Sequence, residues 1–229
     1  TYSASGEVGS LRQRRTRWER IWIDLKKAPP TAIFGIIVIL AYAFVSIFAP
    51  ILAPFGEAVS QFSAYQTFSD KHILGTDQIG RDILSRLIYG ARNTIGIALV
   101  TTIISFFIGM TLGLIAAINR SYLDQVISRG VDVLMAIPSL IFALMLLSIF
   151  GSSTFSLICI IAVLDSTRVF RLTRAVSMNV VVMDYVEAAT LRGEKLGWIM
   201  RKEILPNILP PLVAEFGLRF CFVFLAIAA

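Results

Sequence analysis

Cysteine, histidine and charge are all scarce in this sequence of 229 residues. The two cysteines, Cys159 and Cys221, sit in apolar runs. That excludes a disulfide-stapled secreted scaffold and reads both as small apolar-facing side chains. His72 is the one histidine; without neighbouring ligands it defines no metal site, and its polar loop suggests an ordinary surface position. Charged residues are 16% of the chain, against about 25% in soluble domains. No G-x-x-x-x-G-K-[ST] phosphate loop occurs, and no Ser/His/Asp, Cys/His or metal-ligand cluster is visible. The chain is thus expected to be neither an enzyme nor a nucleotide or metal binder in its own right.

What is present is apolar surface. Hydrophobic residues make up 56% and the mean hydropathy is +0.77, too high for a disordered chain and typical of a bilayer protein. The net charge is +6. The basic residues cluster beside apolar runs, which points to the cytoplasmic face of a membrane rather than to nucleic acid.

A span needs about 20 apolar residues to cross about 30 Å of hydrocarbon. Five candidates follow: Thr31–Ala53, Ile95–Ile118, Val131–Phe150 with Asp132 and Pro138 inside, a weaker one from Thr154 to Asp165 or beyond, and one from Ile208 to Ala229. Before them, residues 1–30 form a basic tail. Trp18, Ile21, Trp22 and Leu25 fall on one helical stripe there, the pattern of an interfacial helix. The 1–30 tail and a 31–229 transmembrane domain are the two expected units. With the N-terminus inside, the inner segments hold 16 Lys and Arg and the loop after the first span holds 4, a strong positive-inside bias. The chain stops within an apolar run at Ala229, so the end of the fifth span and a sixth are expected beyond residue 229.

Several smaller patterns sit on this frame. Gly109 and Gly113 form a G-x-x-x-G for close helix approach. Asp77 and Arg81, and Asp82 and Arg86, are spaced i, i+4, the favourable acid-first order should the stretch be helical. Asp132 is expected to pair with Arg129, and Asp165 stands near Arg168. Glu215 and Arg219 are one turn apart inside the fifth span, either paired structurally or lining a substrate path, since charge at mid-bilayer must face protein or water. Between the fourth and fifth spans lies a charged segment. Glu187–Leu191 favours helix, Gly193 can end that helix with a positive φ, Lys195–Ile204 is a second helical stretch, and Pro206 marks a turn into the next span.

That segment carries a resemblance. Glu187-Ala188-Ala189 followed by Gly193, then Ile204-Leu205-Pro206, resembles the EAA loop of ABC importer permeases, although Glu203 stands where the peptide branch often has histidine. Upstream, Gly75-Thr76-Asp77, Gly80-Arg81-Asp82 and Ser85-Arg86 are similar to the L-G-T-D-x-x-G-R-D-x-x-S-R signature of dipeptide, oligopeptide and nickel permeases. Asp124, Arg129, Asp132 and Pro138 look like that branch's pattern at the third span. The order of motifs resembles the second of the two permeases in such systems.

The resemblance implies an all-α, polytopic type I permease fold in a bacterial or archaeal inner membrane. It implies a coupling helix within 185–207 that docks an ATPase subunit through Glu187, Ala188, Ala189, Gly193, Leu205 and Pro206. The charges at the outer signature read first as a structural clamp and second as a docking surface. Expected partners are a second homologous permease, two ATPase subunits holding ATP and magnesium, a soluble binding protein outside, and the bilayer. A peptide is the first choice of substrate, with nickel or another small solute as the alternative. A secondary transporter, a channel or a structural membrane subunit are the competing classes.

Overall fold

The computed structural model describes residues 28–60, 62–119 and 122–228, so the expected interfacial helix of the tail lies outside the described residues. All named elements are helical: α1 (Pro30–Ile47), α2 (Ala49–Leu52), α3 (Ile83–Ile118), α4 (Tyr122–Ala136), α5 (Ser139–Phe150), α6 (Thr154–Val181), α7 (Asp184–Leu191), α8 (Leu196–Ile199), a π-helical turn (Met200–Ile204) and α9 (Leu205–Ala228).

The centre of the molecule is the pair α3 and α6. Gly109 and Gly113 make their contact possible. A Cβ on Gly109 would lie 2.6 Å from the Ser166 carbonyl oxygen and 2.7 Å from the Val169 Cβ; one on Gly113 would lie 2.8 Å from the Thr173 Cβ. Only a residue without a side chain allows backbones this close. The register climbs in step: Ala98 clusters with Ile161, Ser105 meets Asp165, and Gly113 meets Thr173. The two helices therefore run in the same direction, and the chain between them must return across the bundle. That return is α4 with α5.

The return helix is not the straight span expected over Val131–Phe150. It starts earlier, at Tyr122, and bends by 89° between Ala136 and Ser139. Pro138 supplies the reason, since proline pushes the preceding residue out of the α region and lacks the amide that would continue the ladder.

The number of apolar spans also differs from the expected five. Among the described residues, α1, α3 and the continuous Leu196–Ala228 stretch are long and apolar enough to cross a bilayer, and the bent pair makes a fourth. Helix α6 has the length, 28 residues, but carries Asp165, Arg168, Arg171 and Arg174. It packs along α3 rather than standing alone in lipid, and burial of one face relieves it of the need to be apolar all round. The first candidate span is also broken, with α1 ending at Ile47 and a single turn, α2, following.

Pro206 does not mark a turn. Helix continues through it into α9. The preceding turn widens instead: the Leu205 amide reaches back to the Met200 carbonyl, five residues rather than four. A proline crowds the carbonyl four residues before it and offers that carbonyl no donor, and a π-turn accommodates both problems. The Asn207 side chain takes up the Glu203 carbonyl at 2.6 Å.

Candidate functional site

Helix α3 carries a distinct structure at each end. Its 36 residues span roughly 54 Å at 1.5 Å per residue, so the two ends cannot touch.

At the end that the Lys and Arg bias of the sequence would turn inward, called the inner end, the segment 184–206 is built on apolar contacts. Val186, Ala189, Ile199 and Ile204 are buried and cluster with Phe106, Leu114, Val169, Ile208 and Leu212 from α3, α6 and α9. Helix α7 stops in a Schellman arrangement. The Gly193 amide donates to the Thr190 carbonyl at 2.9 Å and the Glu194 amide to the Ala189 carbonyl at 3.2 Å, which satisfies the last orphan carbonyls. Gly193 itself has φ +81° with open space where a side chain would go. It is needed there for its backbone conformation, not for room.

Of the motif residues, Ala189 is buried completely. Glu187, Ala188 and Pro206 are exposed, and Leu205 is half-buried. Leu191 and Tyr185 also stand outward, Leu191 with 82% of its surface open. A cleft of about 420 Å³ opens between α7, α8 and the inner ends of α3 and α6, lined by Ile118, Val182, Glu187, Thr190 and Leu196 among others. So α7 is a short helix glued to the bundle by one face and bare on the other.

At the outer end the loop 54–82 is held by polar bonds. The Ser85 hydroxyl accepts from the Phe55 amide at 3.1 Å. The Thr76 hydroxyl donates to the Ser63 carbonyl at 2.7 Å and accepts from the Gln66 amide at 2.8 Å. Asp82 caps α3, accepting from both the amide and the hydroxyl of Ser85 at 2.8 Å. Its other oxygen accepts from His72 Nδ1 at 3.0 Å. His72 is therefore not a surface residue: it is 3% exposed and ringed by Phe55 and Phe62. Only the long-range meeting with Asp82 makes that burial tolerable.

The expected charge pairs are partly exchanged. Arg81 does pair with Asp77, at 3.1 Å, but across a turn closed by Gly80 (φ +75°) rather than along a helix. Arg86 does not take Asp82; it reaches Asp77 at 2.7 Å. The reason is that both Asp82 oxygens are already taken by the cap and by His72. The amide of Arg81 above all, joined by the Ile79 amide and the Arg81 guanidinium, holds the Asp77 pKa at about 2 against some desolvation. For Asp82, burial works to raise the pKa, but the Ser85 amide and hydroxyl and the His72 ring outweigh it and leave the carboxyl below its ordinary range.

Midway between the two ends lies a cluster of charge. Arg219 and Glu215 pair at 2.7 Å, as their spacing suggested, and Arg219 also approaches Asp165 at 3.5 Å. The Ser105 hydroxyl donates to Asp165 at 3.0 Å. One guanidinium thus joins α6 and α9, with α3 contributing the serine. Asp165 turns to this cluster and not into an ion pair with Arg168. Likewise Asp132 makes no ion pair with Arg129 among the described residues; it is exposed on α4, while the neighbouring Asp124 makes a two-bonded pair with Arg174. Single charges at mid-bilayer cost about 2.5–3.5 kcal/mol each, which makes such pairing obligatory where protein is within reach. Among the described residues no group of His, Cys, Asp and Glu is arranged to hold a metal ion.

Comparison with known proteins agrees with this architecture. Residues 109–229 match the family described as binding-protein-dependent transport system inner membrane component. Residues 16–71 match the N-terminal transmembrane domain of oligopeptide transport permease C. The dipeptide transport system permease protein DppC of Haemophilus influenzae is 36% identical over 208 residues, 88% of this chain and 70% of that protein. The protein of the same name from Escherichia coli K12 is 37% identical, over 86% of this chain and 68% of that protein. The glutathione transport system permease protein GsiD of Pectobacterium atrosepticum is 29% identical, over 90% and 68%. With a helical bundle of this kind and relatives this close over most of its length, the chain belongs to the binding-protein-dependent transport inner membrane components, as a non-catalytic, multi-pass permease subunit of an ABC importer.

Proposed function

We propose that this chain forms half of the transmembrane pathway of a peptide importer and that segment 185–207 is its handle for the ATPase. The N-terminal tail, residues 1–30, lies on the cytoplasmic side, and residues 31–229 belong to the permease domain. The same-direction run of α3 and α6 sets 184–206 at the end opposite the 54–82 loop, and the Lys and Arg bias supports a cytoplasmic position for it.

One observation carries the coupling role. Helix α7 is fixed to the inner ends of α3, α6 and α9 by Val186 and Ala189 and bares Glu187, Ala188 and Leu191 on its other face. A helix so mounted transmits a push to three helices at once. Two ATPase subunits, binding ATP and magnesium, dock from inside, one of them on this helix. A second, homologous permease completes the path, and a soluble binding protein delivers substrate to the outer end, where the clamp around Asp77 and Asp82 keeps the mouth in shape. Nucleotide-driven closure of the ATPases favours one of two arrangements of the bundle, and hydrolysis releases it; the differential affinity of nucleotide for the two arrangements is the driving term. Peptide is the substrate class that the dipeptide and glutathione relatives support.

The test uses the complete transporter in proteoliposomes. Gly193→Val places a β-branched side chain at φ +81°, a conformation such residues avoid. Retained ATPase activity with uptake reduced at least about tenfold is the expected result, a barrier change near 1.4 kcal/mol. Undiminished uptake by that variant contradicts the coupling role.

A further inference from the structure

Helix α6 leaves one face open, and that face is charged. Its other sides are occupied: α3 covers Ser166, Val169, Phe170 and Thr173, α9 meets Asp165 through Arg219, and α4 with α5 packs beside Cys159, Ile160 and Leu164. On the uncovered side the outer half is apolar, whereas the inner half presents Arg168, Arg171 and Asn179 to the surface. Arg168 stands midway along the helix, about 20 Å from either end at 1.5 Å per residue.

Neither Arg168 nor Arg171 is within ion-pair distance of a carboxylate among the described residues. Arg171 donates to the Met135 sulfur at 3.8 Å, a weak acceptor. The nearby carboxylates have other commitments: Asp124 to Arg174, and Asp165 and Glu215 to Arg219. Asp132 on α4, one turn from Met135, is exposed and lies beyond ion-pair distance of both arginines. Two guanidiniums with open donors at this depth require water or an anion. A polar strip running from mid-helix to the inner end suits a wetted route better than a dry seam between helices, which favours small residues.

Resting on the peptide-importer reading, we infer that this open face of α6 lines the translocation route and that Arg168 and Arg171 hold the C-terminal carboxylate of the peptide on its way inward. A planar guanidinium takes a carboxylate with two parallel hydrogen bonds. The two basic residues are thus specificity determinants for a free peptide terminus, a role separate from holding the bundle together.

The experiment measures uptake into proteoliposomes by the whole transporter with saturating, peptide-loaded binding protein, so that capture outside the membrane does not limit the rate. Two probes are compared, a dipeptide and its C-terminal amide. In R168Q/R171Q the dipeptide rate is expected to fall roughly tenfold, the worth of one charge-assisted hydrogen bond, while the rate for the amide stays unchanged. R168K/R171K is expected to recover part of the dipeptide rate. An equal fall for both probes, or none, overturns the inference and leaves the peptide reading standing. Loss of the second permease from the purified R168Q/R171Q complex also overturns it, by assigning the arginines to a subunit interface, as does retained anionic lipid that disappears with the substitution while both uptake rates hold. A wild-type transporter that imports neither probe removes the peptide reading and this inference together.

Discussion

The two ends of α3 are built from opposite materials. At the outer end His72, Thr76, Asp82 and Ser85 are all at most 3% exposed, and each finds a hydrogen-bond partner across ten or more residues or at the helix cap. Glycines there are boxed in: a Cβ on Gly75 would strike the Gln66 carbonyl oxygen and one on Gly80 the Phe62 carbonyl oxygen. At the inner end the buried side chains are Val186, Ala189, Ile199 and Ile204, no side-chain cap holds α7 or α8, and Gly193 faces open space. Hydrogen bonds are directional and fix a geometry, whereas apolar burial is non-directional and a close-packed apolar contact transmits strain. The polar end suits the proposed clamp and the apolar end the proposed coupling helix.

That contrast can be broken from the outer side first. Asp82→Ala removes the α3 cap and orphans His72 and Ser85 together. The expected loss is about 3 kcal/mol or more, combining a cap with buried groups left unpaired, and thermal unfolding of the purified protein in detergent reads it. Gly80→Ala comes next, on the order of 2–3 kcal/mol from positive φ and a backbone collision, with the 54–82 loop newly open to protease. At the inner end Gly193→Ala meets no neighbour and carries only the backbone strain, about 1 kcal/mol. A Gly193→Ala loss as large as that of Gly80→Ala would erase the distinction between the ends.

Much of this was legible in the sequence, and the illegible part has a common cause. Local signals worked: Gly193 at a helix end, Gly109 and Gly113 at a close crossing, Glu215 with Arg219 at one turn. Each depends on spacing within a few residues. The failures all involve partners supplied from elsewhere. His72 looked like a surface residue because its partner Asp82 and its aromatic neighbours come from other parts of the loop. Spacing pairs Arg86 with Asp82 and Asp132 with Arg129, while the fold gives Arg86 to Asp77 and leaves Asp132 exposed. Pro206 looked like a breaker, but a widened turn and the Asn207 side chain absorbed it. In α6 the charges hid a long helix because apolarity was judged all round, when only its α3 face needed to be buried. The open arginines on that helix became visible only once its other faces were accounted for.

Acid sharpens the comparison more gently. Asp77 has a folded pKa of about 2, against an ordinary carboxyl value of 3.8, and Asp82 is lowered too. A depressed carboxyl contributes stability that is present above its unfolded pKa and lost as the pH falls through the folded one. Protection factors of the amides in 62–82, with the intrinsic exchange rate at each pH divided out, are therefore expected to fall as the pH drops from 4 to 2. The apolar contacts around α7 contain no group of this kind, and protection at Val186 and Ala189 should change less over the same range.

The coupling role of 184–206 is the centre of the account, and Leu191 tests it most directly. Its side chain is 82% exposed, so Leu191→Asp leaves the fold and the bundle contacts alone. With the tagged whole transporter, the account expects Leu191→Asp to retain the second permease on purification and to lose the ATPase subunits and uptake together. Full retention of the ATPase subunits with normal uptake would contradict it.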